Sequence, residues 1–174
     1  QEADYSQYVN PMIGTDFTGN TYPGAQVPFG MVQLSPDNGL PGWDRISGYF
    51  YPDTTIAGFS HTHLSGTGAG DLYDISFMPV TRPYKEAPAP LGIYSTFSHN
   101  DEAASAGYYR VLLKDYNINV ELTATERCGI QRYTFPEAEA SVFLNLKKAM
   151  NWDFTLDSKI EVVDSTTIRG YRLS

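Results

Sequence analysis

The sequence is poor in cysteine and contains no long apolar run. Cys128 is the single cysteine among 174 residues, so no disulfide can form within the chain. No histidine neighbours this thiol in the sequence, and we expect it to be a buried apolar filler rather than a nucleophile. No stretch reaches the roughly 18 consecutive apolar residues of a membrane-spanning helix, which excludes such a helix.

Basic residues are also scarce. The chain has 12 Lys and Arg residues and 20 Asp and Glu residues, which gives a formal charge of −8. Such a chain repels a polyanion, so we expect no nucleic-acid partner. Aromatic residues, in contrast, are abundant, with 13 Tyr, 9 Phe and 2 Trp. A chain of this length and composition can bury a core and predicts one folded domain over residues 1–174.

Neither end of the sequence has the features of a complete protein. The chain lacks an initiator methionine and opens with the polar segment QEADYSQYVNP, where a signal peptide would have charged and apolar regions. We therefore expect a processed or trimmed N terminus. The segment TTIRGYRLS ends at Ser174 within a strand-like alternation, and we expect a domain that is truncated at its C terminus.

No sustained helical period is present, and short strands dominate the pattern. Two apolar runs in the first half, Phe29 to Pro36 and Tyr73 to Val80, are bounded by Gly or Pro and predict buried strands. Helix is predicted only for EAAS near Glu102 and for the segment after Ala149. Six further strands are predicted in the second half: Tyr108 to Asp115, Ile118 to Glu126, Gly129 to Pro136, Ala140 to Lys148, Lys159 to Asp164 and Thr166 to Leu173.

Alternation within these strands predicts the fold class. Val120, Leu122 and Ala124 alternate with polar residues, so they should share a core face. The spacing likewise predicts Val142 and Leu144, with Leu146, on the core face of their strand. Connections as short as DYN and DST cannot hold a crossover helix. The sequence therefore predicts an all-β, antiparallel β-sandwich.

The stretch GFSHTHLSGTGAGDLYD, Gly58 to Asp74, is the richest in candidate functional residues. His61 and His63 lie two positions apart, so on a strand both rings would point to one side and could share a metal ion, but no third ligand is identifiable. The G-x-G-x-x-G pattern of a nucleotide cradle fails at Asp71, and no Gly-Lys-Ser/Thr follows. Neither a metal site nor a phosphate site is favoured.

Two interpretations of this stretch stay open. It can be a glycine turn with positive φ angles and with histidines satisfied in the core. It can also be a sugar-binding surface, in which glycines expose backbone polar groups while His61, His63, Ser65 and Thr67 supply neutral hydrogen bonds. An aromatic such as Trp43 could then cover the apolar face of a pyranose.

No catalytic set is evident. A glycosidase needs two carboxylates placed across the scissile bond, about 5–9.5 Å apart. Asp71 with Asp74, or Asp153 with Asp157, are close in sequence, but spacing alone creates no such cleft, and surface carboxylates are the expectation. The serine nucleophile elbow is absent, because GFSHT lacks its second glycine.

Three long strings resemble the N-terminal domain of glycoside hydrolase family 92. They are VNPMIGTDFTGNTYPGAQVPFGMVQLSPD (Val9 to Asp37), SGYFYPDTTIAGFSHTHLSGTGAGD (Ser47 to Asp71) and VELTATERCGIQRYTFP (Val120 to Pro136). The resemblance spans nearly the whole chain. It implies a β-sandwich packed on a larger C-terminal (α/α)-barrel in a calcium-dependent, inverting, exo-acting α-mannosidase. It also implies a secreted or periplasmic location, possibly at a bacterial cell surface, with the signal peptide removed.

The same resemblance implies that the catalytic groups lie outside this chain. The general acid, the general base and most calcium ligands are expected C-terminal to Ser174, and the partners are a mannose-containing glycan and the catalytic domain. Substrate contacts are expected within the motifs GTDFTGN, GWD and HTHLSGTG. They are Phe17, Thr18, Gly19, Trp43, His61, His63, Gly66 and Thr67. Phe17 and Trp43 could instead pack in the core or at the domain interface.

One departure from the family bears on specificity. Members that cleave α-1,2 linkages often read WDWCSGYHY, whereas this chain reads WDRISGYFY, with Arg45, Ile46 and Phe50 at the changed positions. This puts an α-1,2 preference in doubt. Tyr73 stands where glycine is frequent and is expected to reshape the loop. Two other functions stay open: a stand-alone carbohydrate-binding sandwich, and a purely structural domain.

Overall fold

The chain folds into antiparallel strands joined by turns and three 3-10 segments, in a computed structural model that describes residues 4–66, 70–147 and 153–174. Within these ranges the strands are β1 (Ala25–Gln26), β2 (Gln33–Asp37), β3 (Thr55–Ile56), β4 (Gly58–Ser60), β5 (Ser76–Thr81), β6 (Glu86–Ala87), β7 (Gly92–Ile93), β8 (Ser95–Thr96), β9 (Glu102–Ser105), β10 (Tyr108–Leu113), β11 (Ile118–Ala124), β12 (Gly129–Thr134), β13 (Ala140–Asn145), β14 (Asp157–Val162) and β15 (Ile168–Leu173). The 3-10 segments are Ser6–Tyr8, Trp43–Arg45 and His99–Asp101.

Two sheets form the body of the fold. The larger sheet has the strand order β1-β2-β4-β5-β13, and the smaller sheet has the order β12-β11-β10-β9. Three two-stranded ribbons, β3 with β8, β6 with β7 and β14 with β15, complete the pairings. Every pair is antiparallel. Only residues 114–117 join β10 to β11, which is too short for a crossover helix.

The hydrophobic core lies between the two sheets. Alternate residues of β10 and β11 point inward, and they pack against apolar side chains of the larger sheet. The smaller sheet contributes Tyr109, Val111, Leu113, Ile118, Val120 and Leu122, and the larger sheet contributes Ala25, Leu34, Phe59, Met78 and Val80. This two-layer arrangement confirms the predicted all-β, antiparallel β-sandwich.

The six strands predicted in the second half are present as β10 to β15. Val120 and Leu122 are buried, and Ala124 packs against the core, as their alternation predicted. The predicted helix at EAAS is wrong, because Glu102–Ser105 pairs with β10 as strand β9. A strong helix former is overridden here by a neighbouring strand that offers hydrogen bonds. The helix predicted after Ala149 falls mainly on residues 149–152, which lie outside the described residues.

The prediction for the core face of β13 is also wrong. Phe143 packs against the core, whereas Val142 is 46% exposed. Leu144 faces the β14–β15 ribbon together with Ile160. The outer face of an edge strand is apolar here because a second layer, the ribbon, lies over part of it.

Cys128 is exposed, so the expectation of a buried filler is wrong. It lies in the turn between β11 and β12, where its N–H donates to Thr125 Oγ1 at 3.2 Å and its carbonyl accepts from Thr125 N–H at 2.8 Å. These hydrogen bonds within the turn, rather than apolar packing, hold Cys128 in place. Among the described residues, no helix is both long enough and apolar enough to cross a bilayer.

Candidate functional site

The histidine- and glycine-rich stretch forms a loop that folds back on itself between β4 and β5. We call residues 61–75 the glycine loop. Its two arms are joined at the base, where the N–H of His61 donates to the carbonyl of Asp74 at 3.0 Å and the N–H of Tyr73 donates to the carbonyl of Thr62 at 3.1 Å. Thr62 Oγ1 also donates to Asp74 Oδ2 at 2.8 Å and accepts from the N–H of Asp74 at 2.9 Å. These four bonds fix the base of the loop.

His63 points from the glycine loop into the interior. Its exposed fraction is 3%. Nδ1 lies 2.7 Å from the carbonyl oxygen of Gln33, which can only accept, so Nδ1 carries a proton. Nε2 lies 2.8 Å from Oδ1 of Asp37, and Ser60 Oγ donates to the same carboxylate oxygen at 3.1 Å. Both ring nitrogens are engaged, so His63 supports the glycine loop from behind.

A glycine makes room for this buried network. Gly48 has a φ of +89°, and a Cβ atom there would come within 2.6 Å of the Tyr73 ring, 2.7 Å of Asp37 Oδ1 and 2.9 Å of the His63 ring. Real Cβ atoms do not approach other atoms so closely, and positive φ favours glycine. The close approach of the backbone at Gly48 is therefore required for the histidine to lie where it does.

His61 lies at the base of the loop and makes different contacts. Its Nδ1 donates to the carbonyl of Ile75 at 2.9 Å, and its ring meets Phe77 edge-on at a centroid distance of 5.6 Å. A Cβ atom on Gly129 would come within 2.9 Å of the imidazole. Burial lowers the pKa of His61 below its ordinary value, so the ring is neutral near pH 7. Because His61 and His63 bind different partners, the spacing of two does not bring their nitrogens together.

The returning arm of the glycine loop is strained. Leu72, Tyr73 and Ile75 have φ angles of 78°, 66° and 56°, in the left-handed region that non-glycine residues seldom adopt. Each such residue costs about 1–3 kcal/mol unless its surroundings hold it in place. The Tyr73 hydroxyl donates to the carbonyl of Ile46 at 2.6 Å, with the carbonyl of Arg45 at 3.0 Å. Burial raises the pKa of Tyr73, so this hydroxyl remains a donor.

The turn that contains Phe17 lies beside the glycine loop. The N–H of Gly66 donates to the carbonyl of Asn20 at 2.7 Å, which joins the two segments. Phe17 has a φ of 51° and an exposed fraction of 82%. Gly19 cannot be replaced without a clash, because an added Cβ atom would meet the backbone of Gly14. The fold therefore holds an aromatic ring out in solvent at this position.

The 3-10 segment Trp43–Arg45 forms the third part of the surface. Trp43 is 54% exposed. Arg45 makes a two-pronged ion pair with Asp53, with nitrogen–oxygen distances of 2.6 and 2.5 Å, and its guanidinium lies 4.8 Å from the centre of the Phe50 ring. Two of the residues that depart from the α-1,2 pattern thus contact each other. Tyr73 connects this segment to the glycine loop through its hydroxyl.

We call residues 16–20, 43–45 and 64–66 together the loop surface. The predicted site residues fall into three groups on it. Phe17, Thr18, Gly19, Trp43 and Gly66 are exposed, His61 is partly exposed, and His63 is buried. Thr67 lies outside the described residues. Gly66 has the positive φ angle that the sequence predicted, at +92°, with open space around its Cβ position.

No local feature of the sequence predicted a buried arginine behind the glycine loop. Arg172 of β15 has a side chain that is 2% exposed and forms ion pairs with Asp74 and Asp153. Its Nη2 lies 2.6 Å from Asp153 Oδ2, and its Nε donates to Thr155 Oγ1 at 3.0 Å. Burial opposes the charge, but the two carboxylates outweigh that effect and raise the pKa of Arg172. Because 98 positions separate Arg172 from Asp74, no local pattern could have found the pair.

The carboxylates near the loop surface have partners within the chain. Asp74 and Asp153 are both paired with Arg172, and Asp71 is exposed and accepts from the N–H of Leu72 at 2.7 Å. No group of three His, Cys, Asp or Glu side chains that could hold a metal ion occurs within the described ranges. The buried Oδ1 of Asn20 has no hydrogen-bond partner in those ranges, but one amide oxygen is far from the 6–8 oxygens that calcium takes.

The fold and the loop surface define a β-sandwich domain that presents aromatic and glycine-rich loops. The N-terminal domain of glycosyl hydrolase family 92 matches residues 8–174. The chain therefore belongs to glycosyl hydrolase family 92, and residues 8–174 correspond to the N-terminal domain of that family.

Solved structures of family 92 enzymes show the same fold. The α-mannosidase BT3965 from Bacteroides thetaiotaomicron, solved in complex with mannoimidazole, is 42% identical over 96% of this chain and 23% of its own, with a TM-score of 0.89. The inverting mannosidase BT2199 from the same organism is 30% identical over 83% of this chain and 20% of its own, with a TM-score of 0.67. An uncharacterized secreted glycosidase of Arthroderma benhamiae is 28% identical over 80% of this chain and 18% of its own length. The chain thus spans about a quarter or less of these relatives.

Proposed function

We propose that this chain is the N-terminal domain of a secreted, exo-acting α-mannosidase that hydrolyses terminal α-mannosides with inversion. The loop surface carries the proposal, because hydrogen bonds join the turn at residues 16–20 to Gly66 and the 43–45 segment to Tyr73, while Phe17 and Trp43 stay exposed. Support for mannose as the substrate comes from the α-mannosidase BT3965, and support for inversion comes from the inverting mannosidase BT2199. Support for secretion comes from the uncharacterized secreted glycosidase of Arthroderma benhamiae.

The loop surface has the chemistry that a terminal sugar requires. A pyranose offers hydroxyl groups around its rim and C–H groups on its faces, so it binds between hydrogen-bonding groups and aromatic rings. Phe17 and Trp43 supply the rings. Exposed backbone at Gly19 and Gly66 supplies polar groups without a side chain in the way, and Thr18 supplies a hydroxyl. His61 is neutral near pH 7, which suits an uncharged ligand.

The reaction itself requires groups that the described residues do not supply. Inversion needs a general acid and a general base about 6.5–9.5 Å apart with a water molecule between them. We propose that both carboxylates, and most of the calcium ligands, come from a C-terminal catalytic barrel on which this sandwich docks. This domain then acts as one wall of the active site. It binds and orients the terminal mannose of a glycan.

The test compares the full-length protein with this domain alone. Both are assayed on 4-nitrophenyl α-mannoside with calcium and after chelation, and the anomer released first is identified by NMR. We expect calcium-dependent turnover by the full-length protein, β-mannose as the first product, and no turnover by the domain. Turnover by residues 1–174 alone, or no α-mannosidase activity in the full-length protein, would contradict the proposal. Mannose binding without turnover in any form would favour a carbohydrate-binding module.

A further inference from the structure

The C-terminal ribbon reaches the glycine loop through Arg172. All three nitrogens of the guanidinium have partners: Nη1 donates to Asp74 and to Ser174 Oγ at 3.0 Å, Nη2 to Asp153 at 2.6 Å, and Nε to Thr155 Oγ1 at 3.0 Å. A planar guanidinium with every edge occupied has one orientation, unlike an ammonium group. The side chain is 2% exposed, so solvent does not screen these interactions.

Asp74 lies at the most strained part of the loop. The two residues before it, Leu72 and Tyr73, and the one after it, Ile75, all have positive φ angles. One carboxylate oxygen of Asp74 accepts from Arg172, and the other accepts from Thr62 Oγ1 on the opposite arm at 2.8 Å. The carboxylate therefore links both arms of the loop to the ribbon. An arm held in unfavourable backbone conformations needs such a restraint to keep one geometry.

We propose that Arg172 is a positioning residue for the sugar-facing loop, which it holds through Asp74. The proposal rests on the function proposed above and deepens it, because it assigns the geometry of the glycine loop to a residue that lies behind the loop surface. Arg172 touches no substrate in this scheme. It restrains the arm of the glycine loop that contains Tyr73. The Tyr73 hydroxyl in turn donates to the carbonyl of Ile46, which directly follows the Trp43–Arg45 segment, and so holds the backbone of that segment.

A purely structural role makes a different prediction. An arginine that only stabilises the ribbon would change the melting temperature and leave the kinetics of the folded protein unchanged. The same ribbon offers a matched control, because Arg169 also lies in β15 and pairs with Glu161, but its side chain is 70% exposed. Its loss removes an exposed arginine–carboxylate pair, because the hydrogen bonds of Arg169 within the described residues all go to Glu161.

The experiment uses the full-length protein and four forms of it: wild type, Arg172→Ala, Arg172→Lys and Arg169→Ala. The kcat and KM values are measured on 4-nitrophenyl α-mannoside, together with the melting temperature and amide hydrogen exchange in residues 61–75. For Arg172→Ala we expect kcat/KM to fall about 10- to 100-fold, mainly through a higher KM, with faster exchange in the loop. Arg172→Lys should recover part of the lost kcat/KM and part of the wild-type protection of the loop from exchange. Arg169→Ala should change kcat/KM by less than about twofold.

The outcomes separate the two proposals. If folded Arg172→Ala keeps the wild-type kcat/KM and loop exchange, Arg172 is not a positioning residue. If the wild type shows no turnover, the proposed function fails, and loop exchange alone decides whether Arg172 restrains the loop. If Arg172→Ala does not fold, Arg172→Lys and Asp153→Asn replace it, because each keeps a hydrogen-bonding side chain at the position of the ion pair. Unchanged kinetics and exchange in both of these variants would overturn the inference.

Discussion

His63 Nε2 and Asp37 Oδ1 lie 2.8 Å apart in the interior of the sandwich, within hydrogen-bond distance. Asp37 is the last residue of strand β2 and His63 belongs to the glycine loop, so their contact connects the loop to the larger sheet. Ser60 Oγ contacts both groups at 3.1 Å. The loop surface therefore rests on a buried polar network rather than on apolar packing alone.

The first prediction concerns the stability of this network. His63→Ala removes one buried partner of the Asp37 carboxylate and leaves a cavity, so it should lower the free energy of unfolding by about 3 kcal/mol. Ser60→Ala keeps the His63–Asp37 contact and should cost about 1 kcal/mol. Urea unfolding of the purified protein, followed by tyrosine fluorescence, measures both. Equal losses in the two variants would show that the histidine is not the main partner.

Gly48 should tolerate no side chain. Gly48→Ala places a methyl group within 2.6–2.9 Å of Tyr73, Asp37 and His63 at a φ of +89°, so we expect a loss of at least about 3 kcal/mol or no soluble protein. Gly92→Ala is the control, because Gly92 also has a positive φ, of +66°, but no described atom lies within 4 Å of its Cβ position. Backbone strain alone should cost about 1 kcal/mol there. Thermal melting of both variants separates the clash from the strain.

The exposed aromatic residues of the loop surface should contribute to substrate binding and little to stability. Phe17→Ala and Trp43→Ala should each raise KM on 4-nitrophenyl α-mannoside about tenfold, because each loses one stacking contact with a pyranose. Phe29→Ala is matched to Phe17→Ala, since Phe29 is fully exposed and has a φ of 60°, but it lies in the turn between β1 and β2. Its KM should stay at the wild-type value. An equally large rise in KM for Phe29→Ala would mean that the effect of losing an exposed aromatic side chain does not depend on its position.

His61 should make the stability of the domain depend on pH. Its pKa is lowered in the folded state by burial, whereas the unfolded chain titrates at the ordinary value of 6.5. The unfolded state therefore binds the proton first as pH falls. The stabilising contribution is complete above pH 6.5 and is lost as the pH drops below it toward the folded pKa.

The variant His61→Gln isolates this contribution. Urea unfolding is compared at about pH 7.5 and about pH 5.5 for wild type and His61→Gln. We expect wild type to lose more stability than the variant over this interval, since glutamine does not titrate. An equal loss in both proteins would assign the pH dependence to other groups.

Much of the fold could be predicted from the sequence. The alternation of Val120 and Leu122 with polar neighbours placed β11 correctly, because the side-chain period of a strand is a local property. The strand predicted for Tyr73 to Val80 is present as β5, but it begins only at Ser76. The positive φ angles of Tyr73 and Ile75 are incompatible with a strand, and nothing in the residue types announces them.

The candidate site was only partly predictable. The glycine and aromatic content marked Trp43 and Gly66, the resemblance to family 92 marked Phe17, and the structure exposes all three. The roles of the two histidines could not be assigned from their spacing, because burial of His63 depends on Asp37, 26 positions away. Arg172 carried no signal at all.

The sequence by itself determined that this protein is an antiparallel β-sandwich of glycosyl hydrolase family 92, because strand periodicity, short connections and long motif strings are all local features. The tertiary structure decided which polar residues meet. Arg172 and Asp74 are brought together across 98 positions by the pairing of β14 with β15 and the fold of the glycine loop. A charged pair is stable in the interior only when both partners arrive together, and that depends on the whole chain.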